Sequence, residues 1–228
     1  MWLIHSSVGR KVIMSVTGIF LVLFLTFHSV MNVIVLFSAE AYNSVASALG
    51  ANWYAVIGTG VLALGFVLHI LYALYLSWLN LKARGKDRYA VTKRQEGVSW
   101  SSKNMLVLGI IVFGFLVLHL FHFWAKMQLV ELQYGHGWEA AGFQNPQDGA
   151  YFINASFSNP IFSIIYIVWL VALWFHLTHG VWSSLHSIGV NNKTWINRVK
   201  CISNVYSTII ILLFIAIPVY FLLGFRVL

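Results

Sequence analysis

Histidine is the residue type that stands out in this sequence, because several of its nine histidines lie deep inside long apolar runs. His28, His69, His119 and His176 sit on four different runs, with His122 and His179 one helical turn beyond the last two. An ionisable side chain is costly at such a depth unless it has a partner. A neutral imidazole keeps one nitrogen lone pair free, so it can ligate a metal, relay a proton or hydrogen-bond a neighbouring helix. One buried histidine leaves all three chemistries open, whereas four on four segments call for a common explanation.

The segments that carry them are of membrane-spanning length. The chain of 228 residues is 60% hydrophobic and 9% charged, which places it among polytopic membrane proteins, as a single all-α transmembrane domain over residues 1–228 with no soluble core of its own. Hydropathy and breakers predict five spans: Lys11 to Phe37, Trp53 to Leu81, Asn104 to Leu129, Pro160 to His186 and Ile202 to Phe225. A short polar link (Ser38 to Asn52), a basic loop (Lys82 to Lys103), an acidic loop (Val130 to Asn159) with room for a partial helical turn, and a basic link (Ser187 to Lys200) join them. The apolar run after Arg10 and Lys11 is too long for the core of a signal peptide and reads as a first helix. Pro218 is expected to kink the fifth span, which has no histidine.

Charge sets the orientation. Of 14 Lys and Arg residues, 12 fall on one side: Arg10, Lys11, Lys82, Arg84, Lys86, Arg88, Lys93, Arg94, Lys103, Lys193, Arg198 and Lys200, against Lys126 and Arg226 on the other. The basic side is then cytoplasmic, with the N-terminus inside and the C-terminus outside. A net charge of +8 confined to short loops leaves no water-exposed face for phosphates, which argues against a nucleic-acid partner. The single cysteine, Cys201, excludes an intrachain disulfide, and the absence of C-x-x-C-H excludes thioether attachment of a haem.

Spans one and three each place a histidine ten residues after a glycine, Gly18 to His28 and Gly109 to His119. Spans two and four follow a histidine with a small residue and then an aromatic, His69 with Ala73 and Tyr75, His176 with Gly180 and Trp182. The first two spans thus read as an old copy of the next two. Depth then pairs the histidines. At about 1.5 Å per residue, His28 is ~25 Å in from Lys11 and His119 ~24 Å in from Lys103. His69 is ~20 Å from Lys82, His176 ~17 Å from Ser187 and His179 ~12 Å.

Two imidazoles at one height on facing helices can hold a flat iron macrocycle between them, so the four spans are expected to form a bundle around two bis-histidine haems b. His28 and His119 would ligate the outer iron, and His69 and His176 the inner one. Gly65, Ala73 and Gly180 would leave room for the porphyrin, and a backbone carbonyl or a hydroxyl such as that of Thr178 would take the free ring N–H. His122 and His179 read as neighbours of the site, and His5, His136 and His186 as span-end or loop residues. Arg10, Lys11, Lys82 and Arg84 are candidates for neutralising propionates. The many tryptophans near span ends are the usual interfacial belt.

With those residues in view the chain resembles the five-helix, di-haem cytochrome b anchor, of the cytochrome b558 type, found in succinate dehydrogenases and fumarate reductases. The resemblance rests on SSVGRKVIMSVTG leading into span one, His28 ten after its glycine, AEAYN beyond that span, His69 followed by Tyr72 and Tyr75, and HLTHGVWS from His176. It implies a bacterial inner-membrane anchor for a flavoprotein and an iron-sulfur protein on the cytoplasmic face, carrying electrons through two haems b to or from a quinone, typically menaquinone. It selects His28 and His119 for the distal haem and His69 and His176 for the proximal one. Some fumarate-reducing members carry a glutamate two residues before the fourth-span ligand; Trp174 stands there, so that proton route is not carried over.

Glu40, Tyr42, Asn32 and His122 are the polar candidates for a quinone near the outer boundary. Two other classes compete: a haem b anchor for a different oxidoreductase, such as a hydrogenase or formate dehydrogenase, and a transporter with a histidine proton relay. The relay would expect Asp or Glu inside the spans, and all six acidic residues map to loops or span ends.

Overall fold

The computed structural model describes residues 6–84, 99–190, 192 and 194–226. His5, Trp2, Lys86, Asp87, Arg88, Lys93, Arg94, Glu96 and Lys193 lie outside them.

Helix is the only regular secondary structure among the described residues. α1 (Ser7–Val33) begins where the Ser6 hydroxyl accepts from the Gly9 N–H at 2.9 Å, four residues earlier than Lys11, and runs on through a tighter turn at Ile34–Leu36. α2 (Ala39–Ala48) is capped by Ser38, and α3 (Trp53–Arg84) follows. A single turn, α4 (Trp100–Lys103), precedes α5 (Met105–His119), which continues as a widened turn over Leu120–Trp124. There the Ala125 N–H donates five residues back to Leu120 at 2.8 Å. Met127, at φ −105° and ψ −93°, breaks the chain before α6 (Gln128–Tyr134), so the third span stops short of Leu129. α7 (Gly149–Phe157) is capped by Asp148, and α8 (Pro160–Ser187) by Asn159 with Pro160 in its first turn, where its missing N–H costs nothing. α9 (Ile196–Leu222) contains Pro218 and runs four residues past it.

Five of these helices are long and apolar enough to cross a membrane: Ser7–Leu36, Trp53–Ala83, Met105–Trp124, Pro160–Ser187 and Ile196–Leu222. The chain is therefore a five-span, multi-pass membrane protein. The fifth span starts earlier than Ile202, at Ile196, and the cations near its start lie over aromatic rings, Arg198 over Trp195 at 5.0 Å and Lys200 over Trp182 at 4.7 Å.

α8 is the hub. Tyr166, Trp169, Leu170, Leu173, Leu177 and Val181 recur on one face at helical spacing and pack on Ile211, Ile217 and Phe221 of α9. Fully buried Ser163 and Ser207 let the backbones approach, as small residues do in membrane bundles. α1 packs on both α8 and α9, and α5 on α8. α3 stands apart: it rests mainly on α1, with only 6% of its apolar stretch buried against 33% for α8 or α9. Between α3 and the other spans opens a cavity of about 2320 Å³.

One end of the bundle is closed by a folded cap. The link Ser38 to Asn52, read from sequence only as a short polar connection, holds α2, and the acidic loop holds α6, a tight turn at Gly135–Gly137 and α7 in place of a partial turn. Asn43 joins the two, donating to Asp148 and accepting from the Ala150 N–H, each at 2.9 Å. Glu131 accepts from the Ala51 N–H at 3.0 Å and from Gln147 at 2.8 Å. Buried Gln128 accepts from Thr59 at 2.9 Å and Trp124 at 2.8 Å while donating to the Gly50 carbonyl at 2.8 Å.

Candidate paired-histidine site

The four span histidines meet in two couples, and the couples are those that depth along the helices pairs. His28 of α1 faces His119, the last residue of α5 before its widened turn, with ring centroids 5.8 Å apart and planes at 88°. His69 of α3 faces His176 of α8 at 6.5 Å and 68°. All four line the large cavity, which explains why side chains on membrane helices are only half-buried here.

The ten-residue spacing of glycine and histidine acquires a meaning in three dimensions. A β-carbon at Gly18 would lie 3.6 Å from Cε1 of His69, and one at Gly109 would lie 3.8 Å from Cε1 of His176. The glycines of spans one and three thus stand against the histidines of spans two and four, while their own histidines form the second couple about 15 Å further along the bundle. Gly65 does something else. Its missing β-carbon lets Phe20 pack on α3, since one would come within 2.6 Å of that ring, so it closes the α1–α3 contact and does not open room beside His69.

Around the rings, polar partners are few. Thr17 Oγ1 is 3.2 Å from Nδ1 of His69, and Asn32 Nδ2 is 3.2 Å from Nδ1 of His28 while donating to the His28 carbonyl at 2.7 Å. The buried Nδ1 atoms of His119 and His176 have no protein partner. The Thr178 hydroxyl, expected beside a ligand, donates instead to the Phe175 carbonyl of its own helix at 3.0 Å.

The remaining histidines point elsewhere. His122 is buried with Nδ1 3.2 Å from the Tyr166 hydroxyl and its ring edge-on to Phe162. His179 lies 5.1 Å from Trp182 on the cavity wall, His186 also contacts Trp182, and His136 is exposed in the Gly135–Gly137 turn. Of the cations, Lys11 reaches the cavity, joined by Lys200, Ser183 and Ser187. Lys82 is over Trp78.

At the capped end, Asn32 and Tyr42 line the cavity and are bonded to each other, the Tyr42 hydroxyl donating to Asn32 at 3.1 Å. Burial pushes the Tyr42 phenol up to about 12. Glu40 and His122 are not among the lining residues, whereas Thr59, Gln128 and Glu131 are. Those three escape sequence reading because the bonds that gather them join residues far apart in the chain. Trp174 is committed to α9, donating to Thr208 at 3.0 Å.

Chemically, each couple brings together two imidazole rings, each able to give one nitrogen to a metal. Among the described residues no group of three or more His, Cys, Asp or Glu side chains gathers into a metal site. A metal held here must bring its other donors with it. Both couples are edge-to-face ring pairs, with centroids 5.8 and 6.5 Å apart. Comparison with family models, with curated proteins and with solved structures finds no match to this chain.

Proposed function

We propose that the chain is the membrane-anchoring cytochrome b subunit of a succinate:quinone oxidoreductase, a succinate dehydrogenase or fumarate reductase, holding two haems b. The observation that carries this reading is the meeting of four imidazoles from four spans in two couples, with ring centroids 5.8 and 6.5 Å apart on one cavity. A haem would supply the further nitrogen donors that the protein lacks and a one-electron iron couple. The cavity, about 2320 Å³, exceeds twice the upper end of ordinary ligand pockets, which suits more than one large group.

The chain's own part is to hold and insulate. His28 and His119 present nitrogens at the outer couple, and His69 and His176 at the inner one. Gly18 and Gly109 keep side chains off the inner rings. Lys11 and Lys200 put positive charge at the end of the cavity nearest the basic loops, where propionates would be neutralised. The stack of two couples along the bundle axis suits electron passage from one membrane face to the other. On the positive-inside rule the basic side is cytoplasmic, the N-terminus lies inside a bacterial inner membrane and the C-terminus outside. A flavoprotein and an iron-sulfur protein would dock on that basic face, with menaquinone exchanging electrons near the outer couple. Asn32, on the helix of His28, and Tyr42, bonded to it, are cavity-lining polar groups on that side. A proton relay lacks support, because the described acidic residues, Glu40, Glu131, Glu139 and Asp148, all lie outside the five spans.

The test is a visible spectrum of the complex purified from membranes, with His69→Ala and His176→Ala beside wild type. Two b-type haems per chain are expected in wild type, falling to about one in either variant, and succinate is expected to reduce them. Full haem content in either variant refutes the ligand assignment, and haems that succinate leaves oxidised point to a different oxidoreductase.

A further inference from the structure

We propose that Thr17 is a positioning residue for the inner couple: its hydroxyl accepts from Nδ1–H of His69, fixing the tautomer and rotation of that ring and leaving Nε2 bare for a metal. The inference rests on the reading of His69 and His176 as axial ligands. A threonine hydroxyl has one hydrogen. Here the Ile13 and Met14 carbonyls, at 3.0 and 3.1 Å on the same helix, take it. With that hydrogen given to the helix, the oxygen turns a lone pair to His69, 3.2 Å away, and the proton is assigned to Nδ1. Gly18, the next residue, has no side chain to hold the ring off; even a β-carbon there would stand 4.0 Å from Nδ1.

The opposite ring lacks this support. In the repeat that equates Gly18 with Gly109, the place of Thr17 is taken by Leu108, which is buried and apolar, and the buried Nδ1 of His176 has no protein partner. The couple is therefore asymmetric: one imidazole is locked by a neighbouring helix and the other is held by packing alone. An Nδ1–H that donates makes the ring a stronger electron donor, which favours the oxidised metal.

The experiment compares wild type, Thr17→Val and Thr17→Ser in the haem-replete complex, titrating the midpoint potential of each haem and assigning the inner one as that lost in His69→Ala. Valine keeps the volume and removes the acceptor, and serine keeps the acceptor. Expected is a rise of the inner midpoint in Thr17→Val by on the order of tenfold in the oxidised-to-reduced balance, about 59 mV for one electron, with the outer midpoint unmoved and serine restoring the wild-type value. Loss of the inner haem from the valine variant alone also supports the role. An unchanged inner midpoint in Thr17→Val, or equal shifts in valine and serine, overturns it while leaving the ligands standing. A wild-type complex without b-type haem removes the reading beneath it.

Discussion

Replacing Gly18 by alanine and by leucine separates a site that merely contains histidines from one that must keep a flat group beside them. A β-carbon at Gly18 would meet Cε1 of His69 at 3.6 Å, an ordinary contact, so alanine fits and should gain about 1 kcal/mol of helix propensity. Leucine adds three more carbons toward a ring that has no spare distance. Overpacking of this kind costs about 1–3 kcal/mol, or roughly fivefold to more than a hundredfold in retention of whatever the ring holds. Gly114, on α5 with nothing within 4 Å of a β-carbon, is the control for leucine in a membrane helix. The assay is haem per chain from the alkaline pyridine spectrum after purification and dilution. Gly18→Ala and Gly114→Leu should keep two haems, and Gly18→Leu should lose the inner one. Wild-type content in Gly18→Leu, or equal loss in Gly114→Leu, refutes the reasoning.

His122→Leu and His179→Leu should each keep two haems, because His122 is turned to Tyr166 and Phe162 and His179 to Trp182; a lost haem in the same spectrum would make either a ligand. Gly149→Val should loosen the cap by about 1–3 kcal/mol, read as faster cleavage of the Asn43 to Phe157 region by added protease, since even a β-carbon there would lie 2.8 Å from the Tyr42 ring and 3.1 Å from Ala46. Tyr42 also sets a pH window. Its phenol is raised from 10.0 to about 12 in the fold, so its share of stability is intact below about pH 10 and is lost as pH climbs through 12. Thermal unfolding between pH 9 and 12 should show that loss, reduced in Tyr42→Phe.

The five spans and the pairing of the histidines could be read from sequence because a membrane helix is a ruler. Rise per residue is fixed, the loop charges mark its zero, and heights measured from Lys11, Lys82, Lys103 and Ser187 need no knowledge of neighbours. What depends on neighbours stayed hidden. Ala39–Ala48 carries helix signals in its Ser38 cap, Glu40 in the first turn and its alanines, but so short a helix depends on Asn43, which holds it to Asp148 and Ala150 more than a hundred residues away. Gly65 and Gly18 look alike as small residues near a histidine, and only the fold shows that one admits Phe20 and the other faces His69. Thr178 beside His176 was the obvious hydroxyl, yet a helix lets a threonine bond back to its own turn, and the hydroxyl that reaches a ring, that of Thr17, comes from another span.

The widened turn at Leu120–Trp124 has a consequence for how this span tolerates change in length. It houses one residue more than an α-helix needs and takes up that residue locally, before the break at Met127. Deleting a single residue there would restore ordinary winding and leave the phase of the following turn nearly unchanged, because the widened turn is what takes up the extra residue. The same deletion leaves His119, upstream of the turn, in place. A change of one residue in length can thus be taken up between His119 and the cap without moving either.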